Sequence, residues 1–202
     1  MIARAPQPVR AIVVGGSAGA LEALRAILPA FPAEFAIPIA LVVHVQPDKP
    51  SYLAPLLADL CALRVKEAED KEPAAPGTVY LAPPNYHLLI ERDRTFSLSF
   101  DAPVHYSRPS IDVVFESAAD AYGPELVGVL LTGASADGAE GLRAIHRAGG
   151  TTVVQSLETA AARTMPEAAL RLFTPDQVLP LLAIGPFLAG LPPRTEAMKG
   201  AP

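Results

Sequence analysis

Cysteine is nearly absent from this chain. Cys61 is the single one in 202 residues, so no internal disulfide can form. That usage fits a reducing compartment. Charge is sparse as well: 18% of residues are charged, and the net charge is −5. No basic stripe or Lys/Arg block is present, which argues against nucleic acid and against an anionic membrane as partners. The opening residues, Met1-Ile2-Ala3-Arg4-Ala5-Pro6, lack the apolar core of a signal peptide. The run from Ile37 to Val43 contains Pro38 and is too short to cross a bilayer. The expected location is therefore the cytoplasm, with no membrane insertion. The four histidines and Cys61 show no zinc-ligand spacing, so no metal and no cofactor is expected. Cys61 reads as a buried or inert thiol.

What is abundant is apolar residue, at 50% of the chain with a mean hydropathy of +0.30. A chain of this length and composition can bury a substantial core in one domain. Arg10–Val14 and Ile39–Val45 read as buried strands, and residues 18–31 as the helix between them, with Leu21, Leu24, Leu28 and Phe31 on one face. Ser51–Leu60 is a weaker helix, and short strands follow at Arg64–Ala68 and Val79–Ala82. His87–Glu91 and Thr95–Phe100 flank a turn and read as a β-hairpin. Ile111–Tyr122 is an amphipathic helix, and Leu126–Leu131 is a fully apolar strand. A helix after Asp137 stops at Gly149-Gly150, and Thr151–Gln155 is again a strand. A helix near Pro166–Phe173 and a strand at Gln177–Leu181 close the pattern. Such alternation predicts an α/β, doubly wound, mostly parallel sheet with an antiparallel β-hairpin and helices on both faces. The expected division is an arm at 1–9, one domain at 10–191 and a flexible tail at 192–202, after Leu191.

Three strand ends carry chemistry. Val14-Gly15-Gly16-Ser17-Ala18-Gly19 fits G-x-S-x-G, a turn that lifts a serine hydroxyl off the sheet at the start of a helix. Free N–H groups at that helix start suit an oxyanion. The bland reading is a small-residue turn that lets helix and strand pack closely. A dinucleotide fingerprint fits poorly, since Ser17 and Ala20 stand at the wrong places and the second strand ends in His44 rather than an acid. His44 is either a base for Ser17 or a strand-end histidine bonded to a carbonyl. Asp137, after Leu131-Thr132-Gly133-Ala134-Ser135-Ala136, is an N-cap for its own helix or the orienter of His44, and the two roles are compatible. In a parallel sheet such groups gather at the carboxyl ends of adjacent strands.

The ordered motifs extend over almost the whole chain. Val14 to Gly19 is followed by Val43-His44-Val45-Gln46-Pro47, then Val79-Tyr80-Leu81-Ala82-Pro83-Pro84-Asn85-Tyr86-His87. Arg108-Pro109-Ser110-Ile111-Asp112, Leu131 to Gly141, Ala148-Gly149-Gly150 and Thr164-Met165-Pro166 complete the series. In this the chain resembles the catalytic domain of the CheB-type chemotaxis protein-glutamate methylesterases. The resemblance implies a Ser-His-Asp triad of Ser17, His44 and Asp137. It implies hydrolysis of glutamyl methyl esters, and deamidation of glutamines, on methylated chemoreceptor cytoplasmic helices. It puts oxyanion and substrate contacts at Ala18, Gly19, Ala134, His87 and Arg108, with His87 read as structural or cleft-lining in preference to a general base. His105 and Arg108 are loop residues that either meet an acidic receptor surface or are simply solvated. Family members under phosphorylation control carry a receiver domain ahead of the catalytic one. Few residues precede Ser17 here, so the expectation is that such a domain is missing, and a separate regulatory partner is one way to replace it. Ala18, Ala20, Ala134 and Ser135 depart from the family pattern. Those departures keep two rivals open: a serine esterase or amidase on another substrate, and a non-catalytic binding module of the same fold.

Overall fold

The computed structural model describes residues 8–44 and 52–194. Val45, Gln46, Pro47 and Ser51 of the motifs and elements above lie outside the described residues, as do 1–7 and 195–202. Chain order is β1 (Ala11–Gly16), α1 (Ala20–Ile27), β2 (Ile39–Val43), α2 (Leu53–Ala58), β3 (Arg64–Glu67) and β4 (Thr78–Leu81). The hairpin β5 (His87–Ile90) and β6 (Phe96–Ser99) follows, then α3 (Ile111–Tyr122), β7 (Leu126–Leu130) and α4 (Ala139–Arg147). The chain continues through β8 (Thr151–Gln155), α5 (Thr164–Leu172), β9 (Gln177–Leu179) and α6 (Leu181–Ala189).

Seven strands form one sheet in the order β3-β4-β2-β1-β7-β8-β9, and every pairing in it is parallel. The hairpin stands apart as a two-stranded antiparallel sheet. The doubly wound expectation holds. Alternate residues of β1 serve different layers, as the strand period of two requires. Val13 joins α3, α4, α5 and the hairpin on one face through Ile111, Phe115, Leu142, Met165, Leu88 and Phe96. Ile12 and Val14 join α1, α2 and α6 on the other through Leu24, Ile27, Leu57, Ile184 and Leu188. Each such side chain contributes roughly 1.5–3 kcal/mol when taken fully from water.

Two sequence expectations need correction. The last strand stops at Leu179, and the segment after it is a helix, α6, which the sequence reading omits. Gly185 and Pro186 look like breakers. Gly185 is instead where α6 touches α1: a Cβ there would lie 2.8 Å from the Ile27 carbonyl oxygen and 2.9 Å from Ala30 Cβ. The second correction concerns the ends. Val9, assigned to an arm, is 5% exposed, and Pro192 to Arg194, assigned to a flexible tail, run beside it. The Val9 N–H donates to the Pro192 carbonyl and the Arg194 N–H to the Val9 carbonyl, both at 2.9 Å. Arg10 and Arg194 both pair with Glu125, which ties the two ends to the segment before β7.

The winding reverses at β1, with β2 on one side and β7 on the other. A crevice at the carboxyl ends of these strands is where such sheets place their sites.

Candidate active site

Ser17, His44 and Asp137 follow the carboxyl ends of β1, β2 and β7. Register brings the first two side by side. Gly16 pairs with Val43, and one residue further the His44 N–H donates to the Gly16 carbonyl at 3.2 Å. On the other flank the Ser17 N–H donates to the Thr132 carbonyl at 2.9 Å. Ser17 therefore sits on a backbone fixed from both sides. Gly15 allows this crowding, because a Cβ there would fall 2.2 Å from Ile111 Cγ2 at the start of α3. Gly19 closes the turn with φ of +82°, a conformation open to glycine at little cost.

Asp137 is the most constrained of the three. Its side chain is fully buried. Oδ2 accepts from His44 Nε2 and from the Ile111 N–H, both at 2.7 Å. Oδ1 accepts from Ser110 Oγ at 2.8 Å and the Asp112 N–H at 3.0 Å. The carboxylate thus caps α3, not the helix that follows it. That overturns the reading of Asp137 as cap of its own helix: α4 begins at Ala139 behind Gly138 and has no side-chain cap of its own from that position. α4 is capped in return from α3, since Asp112 Oδ1 accepts the Gly141 N–H at 2.7 Å. Each helix start is satisfied by an aspartate associated with the other. Burial pushes the Asp137 carboxyl up, but the bonds from His44, Asp112, Ile111 and Ser110 outweigh it and hold it below its ordinary value. Burial has the upper hand at Asp112, opposed by the Gly141 bond and helped by the Asp137 charge, and its carboxyl is pushed up to about 6.

An ionised Asp137 keeps the imidazole proton on Nε2 and leaves the Nδ1 lone pair available as a base. Nδ1 faces the Ser107 hydroxyl at 3.4 Å. Among the described residues no hydrogen bond joins the Ser17 hydroxyl to His44. A cavity of about 130 Å³ opens beside the imidazole, lined by His44, Asn85, Tyr106, Ser107 and Arg108 among others.

The remaining expected site residues divide. Ala18, Gly19 and Ala134 are exposed around the serine turn and the end of β7, where backbone N–H groups can meet a ligand. Ala20 is buried as the first residue of α1, so its methyl is absorbed by packing. His87 does not face the cavity. It is 2% exposed, accepts the Ser110 N–H at Nδ1 (3.2 Å) and donates from Nε2 to the Ala102 carbonyl (3.1 Å). Its role is to fix Ser110, which in turn fixes Asp137. Arg108 lines the cavity, but Nη1 donates to the Phe100 and Asp101 carbonyls at 3.1 and 2.9 Å, and the guanidinium lies 3.9 Å from the Phe100 ring centre. Ser110, Asp112 and Ser107 carry site geometry that the sequence reading assigned to no one. A serine directly before an apolar helical pattern is a cap signal, and Ser110 stands at that place. Among the described residues no three His, Cys, Asp or Glu side chains gather as metal ligands.

Known proteins resemble this chain over most of its length. The family model described as CheB methylesterase matches residues 12–188. A protein of Leptospira interrogans serovar copenhageni is 49% identical over 171 residues, which is 85% of this chain and 89% of that one. Protein-glutamate methylesterase/protein-glutamine glutaminase 1 of Carboxydothermus hydrogenoformans is 40% identical over 183 residues, covering 88% of this chain and 54% of its own length. The crystal structure of the CheB methylesterase catalytic domain of Thermotoga maritima superposes with a TM-score of 0.87 at 33% identity, over 92% of this chain and all of that one.

Proposed function

We propose that this chain, which belongs to the CheB methylesterase family, hydrolyses glutamyl methyl esters on chemoreceptors through Ser17, His44 and Asp137. The observation that carries the reading is the 2.7 Å bond from His44 Nε2 to a fully buried Asp137, which leaves Nδ1 as the base beside the Ser17 strand end.

Ser17 Oγ attacks the ester carbonyl while His44 Nδ1 takes the hydroxyl proton. Asp137 holds the tautomer and balances the imidazolium charge. The negative oxygen of the tetrahedral intermediate sits among the backbone N–H groups of Ala18, Gly19 and Ala134. Collapse breaks the bond to the methoxy oxygen, which leaves as methanol with the proton from Nδ1. A water then gives its proton to Nδ1 and attacks the acyl-enzyme, and collapse breaks the bond to Ser17 Oγ, which takes that proton back from Nδ1 as the glutamate carboxyl leaves. A glutamine side chain follows the same course and releases ammonia. Arg108 works here as a wall of the cavity rather than as a free cation, and His87 as a support of the Asp137 network. Methylated receptor helices in the cytoplasm are the partner in this reading. The domain that performs it spans residues 10–191, with the short pairing of Val9 against 192–194 closing it.

Methanol release from methyl-labelled receptor tests the reading, with Ser17→Ala as the control. Release by the native chain and none above background by the variant is the expected result. Equal release from both would overturn it.

A further inference from the structure

Ser107 is presented to the catalytic histidine by an uncommon turn. The Val104 N–H donates to the Ser107 carbonyl at 3.1 Å, and the Ser107 N–H donates to the Val104 carbonyl at 2.9 Å. The two residues between them, His105 and Tyr106, both have positive φ, +48° and +60°. This is a two-residue β-turn of the primed type, a geometry that favours asparagine and glycine. Bulky residues in that conformation persist only where the surroundings hold them. Both sides of this turn are held. His105 Nε2 lies 3.3 Å from Asp112 Oδ2 in the first turn of α3. Arg108, just beyond, is fixed to the Phe100 and Asp101 carbonyls. Tyr106 is fully exposed at the cavity rim, so packing of its ring does not explain the turn. What the turn delivers inward is the Ser107 hydroxyl, 3.4 Å from His44 Nδ1.

The imidazole changes what it needs during the proposed reaction. At rest Nδ1 is an acceptor; once Ser17 has given up its proton, Nδ1 becomes a donor. Nε2 is already matched to Asp137. We propose that Ser107 is a positioning residue for His44, its hydroxyl oxygen accepting the Nδ1–H of the imidazolium and fixing the ring until that proton passes to the leaving group. This rests on the triad reading above. A hydroxyl can meet either form of the ring, but a hydrogen bond to the ionised partner is the stronger one. Among the described residues, the charged and titratable groups around the ring are Asp137 at Nε2, Arg108 and Tyr106 in the cavity wall, and the His105–Asp112 pair behind the turn.

The test follows the ring itself. With four histidines in the chain, nitrogen-15 NMR of the imidazoles can track His44 through a pH titration in the intact protein. Ser107→Ala is expected to lower the pH at which His44 loses its proton, while Ser107→Thr, which keeps the hydroxyl, stays near the native value. Labelling of Ser17 by a fluorophosphonate should slow on the order of tenfold in Ser107→Ala, the size of one hydrogen bond at a reacting group. An Ala variant whose titration overlays the native one would overturn the proposal. So would a Thr variant that shifts as the Ala variant does, because packing and not the hydroxyl would then be the cause. A native chain that titrates as expected but releases no methanol would count against the esterase reading alone.

Discussion

The two sides of the site are built on opposite plans. At the β7 side Asp137 is fully buried, and both of its oxygens are occupied by four donors. At the β1 side Ser17 is partly exposed, its backbone is pinned, and among the described residues its hydroxyl makes no hydrogen bond. His44 bridges the two, with a side chain 13% exposed. The orienting group is thus fixed before substrate arrives, and the attacking group is left free for it. Stability is concentrated where chemistry is indirect, and is spent least where the bond is made.

The sharpest way to break that contrast is a pair of substitutions. Ser17→Ala should abolish methanol release yet leave unfolding within about 0.5 kcal/mol of native, as for a surface change away from structural features. Asp137→Ala should lower turnover by about 10⁴-fold, the scale of losing the orienting acid of a triad. It should also destabilise by at least about 3 kcal/mol, because three buried donors of Ser110, Ile111 and Asp112 lose their acceptor. Denaturant unfolding beside the release assay checks both. Equal stabilities for the two variants would dissolve the distinction.

Gly141 tests whether the α3–α4 contact is as tight as the reciprocal capping implies. A Cβ at this position would lie 2.6 Å from Phe115 Cβ and 3.0 Å from the Asp112 carbonyl oxygen. Gly141→Ala should cost about 1–3 kcal/mol by overpacking. Activity should fall with it, since the same displacement moves the α3 start that holds Asp137. Melting curves and the release assay should change together.

The pH dependence of stability separates the two aspartates. Asp137 is held below its ordinary value, so its contribution is present above the unfolded carboxyl range and is lost as pH falls through its depressed value. Asp112 has the opposite sign. With its carboxyl pushed up to about 6, its contribution is full below the unfolded value and is lost as pH rises through about 6. Asp112→Asn should therefore flatten the fall in unfolding free energy between about pH 4 and pH 6, where the native carboxyl still holds a proton that the unfolded one has released. An unchanged slope would assign that fall to other groups.

The contrast also explains what could be read from sequence. Strands β1, β2 and β7 are apolar runs, and α3 carries its period openly in Ile111, Val114, Phe115 and Ala118. Local pattern reports local structure. Alternation marks the strand ends that carry Ser17, His44 and Asp137, but not which strands are neighbours; the position of β1 between β2 and β7 comes from the fold. The partners of Asp137 were not legible either. An aspartate just before a helix looks like that helix's cap, and only the crossing of α3 over α4 gives the carboxylate to another helix. Ser107 was hidden for a related reason. Its importance depends on a turn whose central residues, His105 and Tyr106, are poor turn formers, so no turn signal marks it. His87 stands within a motif that leaves it either structural or cleft-lining, and its buried ring with both nitrogens satisfied is the structural one. α6 is hidden because Gly185 and Pro186 mimic punctuation, although Gly185 serves contact with α1 and Pro186 stands on the exposed side.

Ser135 is the exception on the well-satisfied side, and it sets the smallest expected effect. It lies two residues before Asp137, and among the described residues its buried hydroxyl makes no hydrogen bond. A buried polar group without a partner costs free energy that an apolar replacement of similar shape avoids. Ser135→Ala should stabilise the chain, by up to about 1 kcal/mol, with turnover within about twofold of native. Loss of activity without loss of stability would mean that this hydroxyl acts on the reacting groups, and that the β7 side does more than hold His44 in place.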